Sequence, residues 1–158
     1  MLKLTVVAFG TLSESYFREA ADTYKKRLGA AFTEIELKET KLPKEPSAAD
    51  IAKALEDEAD RMLAVIPKRA KVVAMCVEGK EYSSPELSAL LENAAAGGAA
   101  EVCFLIGSSY GLSPRVKAAA DVRLSLSRLT MPHQLARVVL FEAIYRAEEI
   151  RRGTKYHK

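Results

Sequence analysis

A chain of 158 residues, 49% of them hydrophobic, has enough material for one core spanning 1–158 without staples, and two cysteines exclude a disulfide framework. Nothing apolar approaches the roughly 20 residues that span a bilayer. The net charge of +3, from 24 basic and 21 acidic residues, is weak support for a nucleic-acid partner, although residues 151–158 gather Arg151, Arg152, Lys155, His157 and Lys158 with no acid among them.

Leu2 to Phe9 is apolar and partly β-branched, which predicts a buried strand rather than a signal peptide, since no small-residue cleavage site follows. Gly10 ends it. Thr11 to Glu14 has the form of a capping box, opening a helix through about Leu28 whose inner face is Tyr16, Phe17, Ala20, Ala21, Tyr24 and Leu28. Phe32 to Lys38 alternates and predicts a strand near an edge, with Glu34 and Glu36 on a solvated face. Ser47 with Asp50 caps a helix over roughly Ala48 to Ile66, where Asp57 and Arg61 pair at i,i+4. Val72 to Val77 reads as a third strand, 78–83 as a loop, and Ser84-Pro85-Glu86 as the start of a helix reaching Ala96. A strand at Val102–Ile106, the Gly107–Gly111 loop and a short helix from Ser113-Pro114 come next. Val122 to Leu126 is the fifth strand, and a helix runs from His133 to about Arg152.

Strands alternating with helices argue an α/β fold, a mostly parallel sheet with helices on both faces. The last helix is unusual. Leu135, Ala136, Val138 to Phe141 and Ala143 to Tyr145 leave little polar face in its first half, which predicts burial all round and a self-association interface.

Neither G-x-G-x-x-G nor G-x-x-x-x-G-K-[ST] is present, which removes the usual dinucleotide and P-loop readings. Cys76, Cys103, His133 and His157 lack ligand spacing, so no metal is expected. Both cysteines lie in apolar runs and read as buried free thiols of a reducing cytosol. Gly107-Ser108-Ser109-Tyr110-Gly111 matches the nucleophile elbow, with Asp121 and His133 or His157 in triad order; the plain alternative is a tight glycine turn. Against the elbow, the next helix begins only at Ser113-Pro114. Ser125 to His133 is a strand-end loop feeding a helix N-terminus, a geometry that collects free N–H groups.

Leu105-Ile-Gly107, Tyr110-Gly-Leu-Ser113, Leu124-Ser-Leu-Ser127, Thr130-Met-Pro-His133, Arg137-Val-Val-Leu, Glu142, Tyr145-Arg146-Ala and Tyr156-His157 together closely resemble the RlmH family over the whole chain. These are SPOUT-class methyltransferases of large-subunit (23S) ribosomal RNA that methylate N3 of a pseudouridine. The resemblance implies a C-terminal trefoil-type α/β knot, a cytoplasmic homodimer with its active site at the subunit interface, and S-adenosylmethionine as cofactor. By position, the cofactor contacts would be Met75, Gly107, Leu126, Ser127, Arg128, Leu129, Thr130 and Met131. The RNA side would use His133, Arg137, Tyr156 and His157, on ribosomal RNA in an assembled ribosome. His157 is the candidate base for the N3 proton, because histidine titrates near neutrality. Lys38, Lys41 and Lys44 are candidate phosphate contacts. The chain departs from the family where Ser108 replaces a second glycine and Cys76 replaces an acid. A non-catalytic RNA-binding or ribosome-assembly factor is the rival function, and a serine hydrolase using Ser109 is the weaker one.

Overall fold

The computed structural model describes residues 1–158. Five strands form one all-parallel sheet: β1 (Lys3–Phe9), β2 (Phe32–Leu37), β3 (Ala70–Glu81), β4 (Glu101–Leu105) and β5 (Val122–Ser125), in the spatial order β2-β1-β4-β3-β5. The helices are α1 (Ser15–Leu28), α2 (Ala48–Ala64), α3 (Ser84–Ala96), α4 (Pro114–Ala119) and α5 (His133–Arg151).

The period of two along the central strands divides the core into two layers. Leu4, Val6 and Ala8 of β1, with Val102 and Phe104 of β4, face α1, α3 and α5, where Leu28, Leu91, Leu140, Phe141 and Ile144 complete a cluster. Val7, Phe9, Cys103 and Leu105 face the other way, onto Ala59 and Met62 of α2 and Val116 of α4. Phe141 is fully buried and meets Phe32 edge-on at 5.0 Å. Burial of this kind is the main stabilising term, about 3–5 kcal/mol for a core phenylalanine against alanine.

Local chemistry decides several helix starts. Ser47 and Asp50 form the expected reciprocal capping box. Arg61 pairs with Asp57 as expected and also reaches Thr40 and the Lys38 carbonyl, fastening α2 to the chain after β2. The expected box at 11–14 does not form. The helix begins only at Ser15, so Glu14 is itself the N-cap, without a side-chain bond, and not the third helical residue that the box needs; the Ser13 N–H donates to Gln134 Oε1 of α5 at 3.0 Å, and Tyr16, expected on the inner face, is exposed. The cap of α3 is Ser83, one residue before the expected Ser84.

Three further expectations are corrected. β3 does not end at Val77 but resumes pairing with β5 and runs to Glu81. Glu36 is exposed as expected, but Glu34 is not on a solvated face: its side chain is 9% exposed, covered by Arg137 of α5 and Lys25 of α1. And α5 is not buried all round. Leu140, Phe141, Ile144 and Ala147 are sealed, whereas Leu135 is exposed and Val138, Val139 and Ala143 are half-buried.

Candidate functional site

The carboxyl ends of the strands carry two separate concavities. The first lies between β3 and β5. Met75 and Lys80 both register with Leu124, so residues 76–79 form an excursion between two stretches of ladder. Gly79 makes this possible. A Cβ there would lie 2.8 Å from the backbone of Arg123 and Leu124, closer than real Cβ contacts come. The excursion and the 125–131 loop wall a cavity of about 120 Å³ that α5 closes at Ala136.

Of the residues expected to hold a cofactor, Met75, Leu126, Ser127, Leu129, Thr130 and Met131 line this cavity. The loop is held by its own serines: Ser125 Oγ donates to the Ser127 carbonyl at 3.0 Å, and Ser127 Oγ accepts from Leu129 N–H at 2.9 Å. Arg128 and Gly107 are not in the lining. Gly107 answers to packing, because a Cβ would collide with the Gly111 backbone. Sequence reasoning missed Cys76, Val77, Ser125 and Ala136 as wall residues. The only signal available was their position beside Met75 and Leu126. Cys76 is accordingly not the buried thiol expected but a half-buried one. Burial, with Glu78 nearby, pushes it above the ordinary thiol range.

The second concavity is a groove of about 760 Å³ over the ends of β1 and β2. Gly10, Thr11 and Ser13, then Lys38, Glu39 and Lys41, then Ser109, and finally His133 and Gln134 of α5 form its walls. Its floor is fixed by Arg137, which is 1% exposed. Its guanidinium reaches Glu36 at 2.6 Å and Glu34 at 3.4 Å, and donates to the Phe9 and Gly10 carbonyls at 3.0 Å each. Lys25 of α1 joins through Glu34 at 3.0 Å; burial works against its charge, but Glu34 outweighs it and raises the ammonium above the usual lysine range. Arg137 was expected to face RNA. The structure commits it instead to joining α5, β1 and β2. His133 sits at the groove wall, 3.9 Å from Glu39. Ser109 shares that wall, but Asp121 accepts from Val72 N–H at the amino end of the sheet, so no Ser-His-Asp triad is assembled.

A family profile described as predicted SPOUT methyltransferase matches residues 2–157. The chain belongs to the SPOUT methyltransferase family. Proteins named ribosomal RNA large subunit methyltransferase H are similar to this SPOUT chain along its whole length. The one from Streptococcus uberis is 40% identical over 99% of this chain and 100% of its own. That from Oenococcus oeni is 40% identical over all of both, and that from Streptococcus pneumoniae 42% over 99% and 100%. A crystal structure of the SpoU methyltransferase AviRb from Streptomyces viridochromogenes with AdoMet aligns at a TM-score of 0.47 and 13% identity, over 97% of this chain and 59% of that one.

The end of this SPOUT chain folds back on α5. Tyr156 meets the Tyr145 ring at 4.7 Å and donates its O–H to Glu142 at 3.1 Å, under the Arg146 guanidinium. Burial and Glu142 together raise the phenol above the usual tyrosine range. His157 Nδ1 lies 3.4 Å from Arg146. With about 1.5 Å of rise per helical residue, Glu142 lies roughly 9 Å along α5 beyond Ala136, the residue that closes the cavity. Within one subunit, therefore, the structure does not bring Tyr156 and His157 to the residues that line the cavity. At the other departure from the family pattern, Ser108 adds no bulk to that cavity. It turns toward α2 and donates to Glu58 at 2.7 Å.

Proposed function

We propose that the chain methylates N3 of a pseudouridine in large-subunit ribosomal RNA, with S-adenosylmethionine as methyl donor. The observation that carries this reading is full-length similarity to proteins named for large-subunit RNA methylation, in a chain whose 125–131 loop walls a cavity suited to that cofactor. The suitability is chemical. Met75, Val77, Leu126, Leu129 and Met131 offer apolar walls for an adenosyl and thioether body, and no lysine or arginine in the lining opposes a sulfonium charge. Loop N–H and C=O groups can bond a heterocycle edge.

The cofactor, when bound, supplies an activated methyl group; the protein's part is alignment. Leu126, Ser127, Leu129, Thr130 and Met131, with Met75, would hold the donor. The groove beside it, with His133 at its wall and Lys38 and Lys41 at its rim, takes the RNA. Arg137 keeps that wall in place. Proton removal from the base is assigned to His157. Its own subunit holds it on mid-α5, so it reaches the methyl only from a partner subunit. A homodimer packed through the half-exposed Leu135, Val138 and Val139 face of α5 would bring one subunit's tail over the other's cavity, and the C-terminal segment would be threaded as a knot. The whole chain, 1–158, acts as one such domain in the cytoplasm.

The test is transfer of labelled methyl from S-adenosylmethionine to ribosomes lacking the modification, with the product nucleotide mapped. Label on a large-subunit pseudouridine is expected. No label on ribosomes, separate subunits or free RNA would overturn the reading. His157→Ala is expected to lower turnover at least tenfold while leaving cofactor affinity within about twofold; equal losses in both would remove His157 as the base.

A further inference from the structure

A crevice of about 170 Å³ opens off the groove on the α2 side of the sheet. Glu39 and Ser109 belong to both, so the two are continuous. Its place in the fold is informative. β1 and β4 are neighbours, but the connection from β1 leaves through α1 toward β2, and that from β4 leaves through α4, on the opposite face, toward β5. Diverging connections leave a gap at the carboxyl ends of the two strands, the position where open parallel sheets take ligands. The cavity between β3 and β5 is not at this point. The topological gap thus remains unassigned when the cofactor is placed.

Inside the crevice stands an under-partnered carboxylate. Glu58 of α2 is 6% exposed. Its helix neighbours Glu56 and Asp60 both pair with Arg115, but no cation pairs with Glu58. Its one hydrogen bond comes from Ser108 Oγ. Carboxylates are seldom buried without a cation or several donors, since two oxygens offer about four acceptor sites. The walls around it are apolar, from Leu42, Ile51, Ala54 and Leu55, and they suit a flat ring. The mouth holds Tyr110, half exposed at the tip of a tight turn that Gly111 closes, its N–H donating to the Ser108 carbonyl at 2.8 Å. Lys38 and Lys41 stand along the adjoining groove.

We propose that this crevice binds a second, unpaired nucleobase of the RNA substrate, one that carries an exocyclic amino group. Resting on the proposed RNA methylation, it adds a subsite to it. The amino group donates to Glu58, the ring lies between the α2 side chains and Tyr110, and the phosphate faces Lys38 and Lys41. Uracil is disfavoured because its N–H lies between two carbonyls that would confront the carboxylate. Neighbouring strands are about 4.8 Å apart, so a site between β1 and β4 and one between β3 and β5 are roughly 10 Å apart. Nucleotides close together in one single-stranded loop can occupy both.

The test is an NMR titration of the intact protein with AMP, CMP, GMP and UMP. The amino-bearing nucleotides are expected to shift the Ser108–Gly111 amides at millimolar concentration, and UMP at least fivefold less. Ala54→Leu, which fills the crevice, is expected to abolish those shifts and leave S-adenosylmethionine binding unchanged. On ribosomes, Glu58→Gln is expected to lower kcat/KM at least tenfold with cofactor affinity unaltered. Equal shifts with UMP, shifts that survive Ala54→Leu, or a response to free arginine in place of nucleotides would overturn the proposal, the last in favour of a cationic protein side chain. Failure of methyl transfer by the unmodified protein would instead strike the proposed function, and the nucleotide titration would still decide the subsite.

Discussion

The two ends of the sheet's carboxyl edge are built on opposite principles. Over β1 and β2 the structure is held by charge: Arg137 satisfies two carboxylates and two carbonyls at once, with Lys25 behind. Over β3 and β5 it is held by backbone: an excursion at 76–79, a glycine where two chains cross, and a loop braced by its own serines. A charged cluster fixes elements rigidly but spends its polar groups in doing so. A backbone loop leaves N–H and C=O groups free for a ligand. The first end therefore suits a rigid wall for the groove above it, and the second a site that bonds a ligand through its backbone.

The sharpest way to break this contrast is Arg137→Met. Removing the central partner of a buried ion cluster takes one of two cations from Glu34 and leaves two carbonyls unsatisfied, and costs about 3–5 kcal/mol. The urea midpoint should fall accordingly, while cofactor affinity of the folded fraction changes by less than about threefold. A parallel collapse of cofactor affinity would show that the two ends are one unit.

Gly79→Ala should act in the reverse sense. Its Cβ meets main chain, not a flexible side chain, so the excursion must shift, at about 1–3 kcal/mol. Cofactor affinity is expected to drop at least tenfold by calorimetry. A variant with normal affinity would show that the crossing does not shape the cavity.

Thiol labelling tests the cavity without mutation. Cys103 is fully buried and its thiol is pushed up to about 12, so it should stay unlabelled in the folded protein. Cys76, raised chiefly by burial, should react slowly at neutral pH and faster as pH climbs, and saturating S-adenosylmethionine should protect it. Mass spectrometry reads both, and labelling of Cys76 at the same rate with and without cofactor would place the ligand elsewhere.

The smallest effect expected is at the docked tail. The Tyr156 phenol is held above its usual value by burial and by Glu142. A raised folded value means that its contribution to tail docking is complete below the unfolded value near 10 and is lost as pH rises through the folded one. Ultraviolet titration should find a tyrosine ionising above the usual phenol range, and Glu142→Gln should remove part of the delay.

Much of this was legible in order along the chain. Alternation of strand and helix, the Ser47 cap, the Ser113-Pro114 start and the 125–133 loop are local patterns, and each forms as read or within a residue or two. The misreadings share a cause. Glu34 reads as solvated because alternation reports polarity and not what lies above the strand; Arg137, 103 residues on, covers it. The capping box at 11–14 does not form because the helix starts at Ser15, after the chain at Ser13 has bonded to Gln134 of α5. β3 was cut short because Gly79 read as a loop, although it serves a crossing with β5.

By itself, then, the sequence determined the element types, the α/β class, the membership that its motifs announced and most of the residues of the 125–131 loop. These depend on propensity, periodicity and short-range chemistry. Only the tertiary structure decided the strand order, the burial of Arg137, the separation of His157 from the cavity within a subunit and the burial of Glu58 beside Ser108 without a cation. Each of these depends on which distant residues meet, and distance along the chain carries no signal of that.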